Sequence, residues 1–207
     1  MRTALFYDTE TTGLPDFKAP SEAPHQPHLV QLGACLVDLD TRRTLQTLDV
    51  LVRPDGWVIP TEASDIHGIT TEMAMDLGVS ETMAVGMLME LWGDWRAAQT
   101  ERVGHNESFD ARIVRIALMR HESEVMADRW KAGKAQCTAI LSTPIVNLPP
   151  TPKMVAAGFR KPKMPTLGEA YRFFTGRELS NAHSAIADVQ GCMEVFFSIA
   201  DGVREAA

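Results

Sequence analysis

A short apolar run near the N-terminus, Ala4-Leu5-Phe6-Tyr7, leads directly into Asp8-Thr9-Glu10-Thr11-Thr12-Gly13-Leu14. The run reads as a buried strand. Side chains at i and i+2 of a strand share a face, so Asp8 and Glu10 project together, roughly 7 Å apart along the chain. Two anions held side by side repel, and one takes up a proton unless a cation lies between them. A divalent metal is the simplest cation that fits. Taken alone, Asp-x-Glu reads more readily as a strand running into an acidic, solvated turn, so the rest of the chain has to decide.

A chain of 207 residues, 45% of them hydrophobic, fits one domain, residues 1–207, with a substantial core. No apolar run approaches the roughly 18 residues of a membrane span, and Asp8 and Glu10 interrupt any signal-peptide core. No membrane association is expected. Cys35, Cys137 and Cys192 are widely spaced and odd in number, which argues against a disulfide framework and for a cytoplasmic setting. No Cys-x-x-Cys or His-x-x-x-His pair suggests zinc. The net charge of −7 looks wrong for a nucleic-acid binder. Its distribution matters more: residues 151–177 carry six bases against one acid, Glu169. That stretch is either a solvated basic loop or a local phosphate-binding surface.

The strand signals come first. Residues 4–7, 29–38 and 44–53 read as strands, with Asp40-Thr41 as a hairpin turn. Helical periodicity follows over 80–99, with Ser80 as N-cap and Trp92 and Trp95 on the apolar face. A strand at 100–103, a helix over 108–120, a strand around 135–140 and helices over 166–175 and 184–200 complete the order. This predicts an α/β fold, a mixed sheet with helices on its faces. Two loops elaborate it. Residues 15–28 are Pro-rich and contain His25 and His28, read as surface residues. Residues 144–165 hold six prolines and little periodicity.

Asn106 and Asp110 fall at the start of the helix after the fourth strand, where a carboxylate favours the helix dipole and Asn106 or Ser108 is a natural cap. His183 and Asp188 flank the start of the last helix. Positions five apart on a helix differ by about 140°, so the two share a site only if His183 stands outside that helix. Read singly, both blocks are ordinary.

In combination, Asp8-x-Glu10, Asn106-x-x-x-Asp110 and His183-x-x-x-x-Asp188 resemble the three motifs of the DEDDh subgroup of DnaQ-like exonucleases, which includes the proofreading subunit of bacterial replicative polymerases. His67-Gly68-Ile69-Thr70 is similar to the family's His-Gly-Ile-Thr segment, and Thr9, Thr11, Gly13 and Leu14 to its first-motif continuation. The resemblance spans about residues 4–200. It implies a ribonuclease H-like fold with a central five-stranded mixed sheet. It implies a 3′–5′ exonuclease that releases nucleoside 5′-monophosphates, with Asp8, Glu10, Asp110 and Asp188 holding two divalent cations, Mg²⁺ or Mn²⁺, and His183 as general base. It further implies substrate contacts from Thr11, Leu14, His67 and Ile69, with Asn106 in support; Leu14 and Ile69 are equally open to a core role. Lys161 and Lys163 on the long loop are expected to bind phosphates.

The expected substrate is single-stranded DNA or a frayed 3′ end, for proofreading or end trimming, with RNA as the alternative. A noncatalytic nucleic-acid-binding or polymerase-associated module on the same fold is the reading of another class. Only residues 201–207 follow the last helix, so a long polymerase-binding tail is not expected, and a stand-alone enzyme, or one of phage or mobile-element origin, fits better.

Overall fold

Ten consecutive residues, Leu29–Asp38, are all buried. A strand sealed on both faces must lie inside a sheet that is itself covered on both sides. The computed structural model, which describes residues 2–93 and 100–202, builds that sheet from β1 (Thr3–Thr11), β2 (Leu29–Asp38), β3 (Thr44–Leu51), β4 (Glu101–Gly104) and β5 (Ala135–Cys137). The order is β3-β2-β1-β4-β5. β1 pairs antiparallel with β2 and parallel with β4, which puts it at the centre of a mixed sheet. The β2–β3 hairpin closes on Asp38, whose carboxylate accepts from the Asp40 N–H and the Thr41 hydroxyl.

Helices α1 (Thr61–His67), α2 (Thr71–Leu77) and α3 (Glu81–Trp92) follow β3, and α4 (Glu107–His121) and α5 (Glu124–Ala132) follow β4. After β5 come α6 (Thr138–Val146), α7 (Pro152–Ala156), α8 (Leu167–Thr175) and α9 (Ala185–Ala200). Alternation along β1 splits the core. Leu5 and Tyr7 face the layer that contains Leu88, Trp92, Ile113 and Trp130. Ala4 and Phe6 face Val189 and Cys192 of α9. Asp8 and Glu10 continue the second set, so both acids point to the α9 side.

Two expected helices start where expected because their caps are local. Ser80 accepts from the Met83 N–H at the start of α3, but α3 ends at Trp92, short of the expected 99, because Gly93 adopts φ 73°; residues 94–99, with Trp95, lie outside the described residues. Thr166 and Glu169 form a capping box on α8. The departures have equally local reasons. α1 and α2 were not expected: at seven residues each, with Ala63 and Ala74 as their only buried positions, they carry no readable periodicity. α5 buries only Ala127 and Trp130. The strand expected over 135–140 is three residues of β5 turning into α6, and 144–165 is not one long loop, since it holds the end of α6 and all of α7. His105 ties the end of that segment down, with Nε2 3.0 Å from the Pro165 carbonyl.

The Pro-rich 15–28 loop is also anchored. Gln26 is buried and donates to the carbonyls of Asp16 and Pro20, while Arg112 donates to the Ser21 hydroxyl. His25 is exposed as expected, but His28 is not a surface residue. It stacks on Trp57 at 4.5 Å and meets the buried Glu81 carboxylate at 3.0 Å. Burial alone raises the Glu81 pKa; hydrogen bonds from His28, the Leu29 N–H and His121, with the Arg120 charge, bring it down to about 2.

Candidate active site

Asp8 and Glu10 sit near the C-terminal end of β1, opposite Gly33 and Gln31 of β2, and the β1–β2 register slips between Glu10 and Thr11. Such an irregularity ends regular pairing and lets the chain turn away. Asp110 and Asp188 each occupy the fourth residue of a helix, α4 and α9, near the positive end of its dipole. Asn106 (φ 67°) leads the chain into α4 and His183 (φ 67°) stands two residues before α9, both in the left-handed region. Asn enters that region more readily than most residues. His183 is therefore outside the helix that carries Asp188, and its backbone N–H donates to Asp188 Oδ2 at 3.3 Å.

Neighbours fix each acid. The Thr9 N–H and hydroxyl both donate to Asp110 Oδ1, at 3.0 and 2.7 Å. The start of α4 is locked to β1 by the Tyr7 hydroxyl, which donates to Glu107 Oε1 at 2.7 Å. Arg102, stacked over the Trp130 ring, faces the same carboxylate at 3.4 Å. Thr9 and Glu107 therefore support the site, although neither is a titrating member of the expected set. The sequence signals for Thr9 are its place between the two acids and its likeness to the first-motif continuation.

The electrostatics are those of crowded anions. Burial, then the charges of Asp110, Asp188 and Glu10, push the Asp8 carboxyl well above the usual range. Burial and Asp188 push Glu10 up to about 7. Burial also raises Asp110, against the two Thr9 hydrogen bonds, and raises Asp188. Ligand atoms of Glu10, His183 and Asp188 all lie within 4.8 Å of one another, and Asp8 does not join that group. Asp188 Oδ1 is buried with no hydrogen-bond partner. A buried, unpartnered carboxylate oxygen inside a ring of anions is the environment a divalent cation satisfies.

Beside the acids lies a cavity of about 550 Å³ lined by Thr11, Leu14, Ile66, His67, Phe109 and His183, among others. Leu14 is 85% exposed, so it is not core. Ile69 takes the core role of its two readings: it is 6% exposed, packs against Val30, Ile59 and Ala74, and is not among the residues that line the cavity. His67 Nδ1 accepts from the Ile69 N–H at 3.1 Å, which leaves the proton of the neutral ring on the buried Nε2. Burial lowers the His67 pKa, against a hydrogen bond to the Thr11 backbone, and the nearby His183 adds to the lowering. Asn106 is exposed and makes no side-chain cap. Lys161 is exposed, whereas Lys163 is paired with Glu169 at 2.6 Å, which offsets its charge. Phe109, expected on the buried face of α4, also lines the cavity.

The sequence matches the family RNase T, described as Exonuclease, over residues 5–196. The chain belongs to this exonuclease family. No curated protein matches it. Its fold is similar to that of solved exonucleases I. Against the Escherichia coli enzyme in complex with a dT13 oligonucleotide, the TM-score is 0.73 at 20% identity, covering 98% of this chain and 41% of that one. The zinc-bound form of the E. coli enzyme with single-stranded DNA gives 0.72 at 19% identity, over 98% and 41%. The moderately thermophilic exonuclease I from Methylocaldum szegediense gives 0.71 at 22%, again over 98% and 41%. This family member thus spans about two fifths of the length of those chains, and the likeness establishes the ribonuclease H-like fold. Among its described residues, no helix is long and apolar enough to cross a membrane.

Proposed function

We propose that the chain is a metal-dependent 3′–5′ exonuclease domain that hydrolyses single-stranded DNA, or a frayed 3′ end, to nucleoside 5′-monophosphates. The observation that carries this reading is the convergence of Glu10, His183 and Asp188 within 4.8 Å, beside the raised carboxyls of Asp8 and Asp110. Family membership and the likeness to exonuclease I support it. Asp8, Glu10, Asp110 and Asp188 would hold two Mg²⁺ or Mn²⁺ ions, because hard oxygen donors suit those ions. When bound, the cations supply neutralising charge and increase the acidity of water.

The side chains do the rest. His183 accepts the proton of the attacking water, a role open to the unprotonated nitrogen of a neutral imidazole. Leu14 and Phe109 offer apolar surface to the terminal base, and the paired His67 ring and Thr11 backbone border the place of the terminal sugar. Lys161 supplies a free positive charge to the strand. Replacing Lys161 and Lys163 together by alanine is expected to weaken binding and flatten its dependence on salt, mostly through Lys161. An unchanged slope in a binding titration removes both from the substrate path.

The test of substrate is a panel of single-stranded DNA, duplex DNA and RNA of one sequence, incubated with Mg²⁺ or Mn²⁺. The reading expects single-stranded DNA to be degraded fastest. Faster degradation of RNA transfers the assignment to an exoribonuclease, and binding without degradation of any substrate transfers it to a noncatalytic module.

The raised carboxyls also set a pH dependence. A group whose folded-state pKa lies above its unfolded value stabilises the fold at low pH and loses that contribution as pH rises through the folded value. Asp8, Glu10, Asp110 and Asp188 all act in this sense. Melting temperature in chelator is therefore expected to fall as pH rises from about 4 to 8, and Mg²⁺ or Mn²⁺ to restore most at the alkaline end. Glu81 acts oppositely, its contribution being lost as pH falls toward about 2. A melting temperature in chelator that rises steadily from pH 5 to 8 contradicts the clustering of the four acids.

A further inference from the structure

The helix that carries Asp188 has no cap of its own: its N-cap, Ser184, makes no side-chain hydrogen bond to the first turn. The first backbone N–H groups of a helix need an acceptor. Here one comes from the sheet. Gln31 of β2, 8% exposed, accepts the Ala185 N–H on Oε1 at 3.1 Å, and its Nε2 donates to Asp49 Oδ1 of β3 at 2.8 Å. Asp49 as a carboxylate only accepts, so the amide nitrogen must face it and the amide oxygen must face α9. Two residues along β2, Gly33 lets the helix come closer still. A Cβ there would lie 2.6 Å from the Ala185 carbonyl carbon and 2.7 Å from the Ile186 nitrogen.

These two residues stand in register with the site. Gln31 is opposite Glu10 and Gly33 is opposite Asp8. Asp8 and Glu10 on β1, with Gly33 and Gln31 on β2, thus form one four-residue platform. The α9 start rests on its β2 half, with His183 two residues before Ala185 and Asp188 three after. A neutral amide suits position 31, because a carboxylate would place another negative charge beside Glu10 and would face Asp49.

We propose that Gln31, oriented by Asp49, is a positioning residue that docks the first turn of α9 on β2 and thereby sets His183 and Asp188 against Asp8 and Glu10. The role rests on the exonuclease reading for its catalytic consequence, but the docking itself is testable without it. In metal-free protein, Gln31→Leu keeps bulk and removes the acceptor. Hydrogen exchange at the Ala185 amide is expected to speed up by about tenfold or more, with the amides of Leu5 and Phe6 unchanged. On single-stranded DNA with Mn²⁺, kcat is expected to fall by about 10–10²-fold, with KM within about twofold. Asp49→Ala, at an exposed position, frees the amide to turn and is expected to shift both readouts in the same direction but less far. Asp49→Asn retains an acceptor and is expected to stay near wild type. Gly33→Ala pushes α9 off the sheet and is expected to lower kcat at least as far as Gln31→Leu.

Wild-type exchange at Ala185 in both Gln31→Leu and Asp49→Ala overturns the proposal. So does faster exchange spread evenly over the sheet, or an unchanged kcat per folded enzyme, since a merely stabilising residue behaves that way. If Gln31→Leu does not fold, the paired Asp49 variants decide. A wild-type enzyme inactive on every substrate defeats the exonuclease reading instead, and the exchange measurement still decides the docking.

Discussion

Replacing Asp8 by asparagine is expected to lower hydrolysis by at least about 10³-fold, the scale at which loss of one preorganised charge at a reacting centre registers, and to leave the fold intact. Asn is close in size and shape to Asp but carries no charge. Asp8 feels Asp110, Asp188 and Glu10 together, so a cation beside it would neutralise a charge that repels all three. The stability consequence has the opposite sign. Without metal, the Asp8 carboxylate is penalised by burial and by three like charges, so its neutralisation relieves strain. Melting temperature in chelator is therefore expected to stay level or rise for Asp8→Asn. On adding Mg²⁺ or Mn²⁺, the wild type gains stability and the variant gains much less. A large drop in melting temperature without metal would make Asp8 a structural residue.

Replacing His183 is expected to cost about 10²–10⁴-fold in rate, the range for a general base. The backbone dictates the choice of variant. His183 holds φ 67°, a region that costs an ordinary residue roughly 1–2 kcal/mol. His183→Ala therefore confounds loss of the imidazole with strain at the entry to α9. His183→Asn does not, because Asn enters the left-handed region more easily. Both variants are expected to lose activity, and the Asn variant to keep the wild-type melting temperature more closely. The remaining activity is expected to rise with pH, as hydroxide replaces the missing base. Near-normal rates between about pH 6 and 9 would remove His183 from the proton-transfer step.

The elements legible in the sequence are those whose signal is continuous and local. The apolar run 29–38 makes β2 end where expected, and Ser80 and Thr166 mark the starts of α3 and α8 within a residue. The helical angle alone required His183 to leave the last helix, and it does. What the sequence did not reveal depends on contacts between distant segments. α1 and α2 are too short for periodicity and are held by one buried alanine each. Gln31 and Gly33 look like ordinary strand residues until the register sets them beside Glu10 and Asp8. His28 reads as a loop histidine until α3 brings Glu81 against it. Leu14 and Ile69 were equally open to core packing, and only the fold separates them, one exposed at the cavity and one packed in the core.

Cutting of nucleic acid from its 3′ end is the activity proposed for the residues gathered around Asp8. Digestion of 5′-labelled single-stranded DNA with Mg²⁺ or Mn²⁺, with Asp8→Asn as control, tests it most directly. A descending ladder of labelled products is expected, shortened one nucleotide at a time from the 3′ end, with nucleoside 5′-monophosphates released and no ladder from the variant. Immediate release of the label as a mononucleotide, or equal degradation by Asp8→Asn, would contradict it.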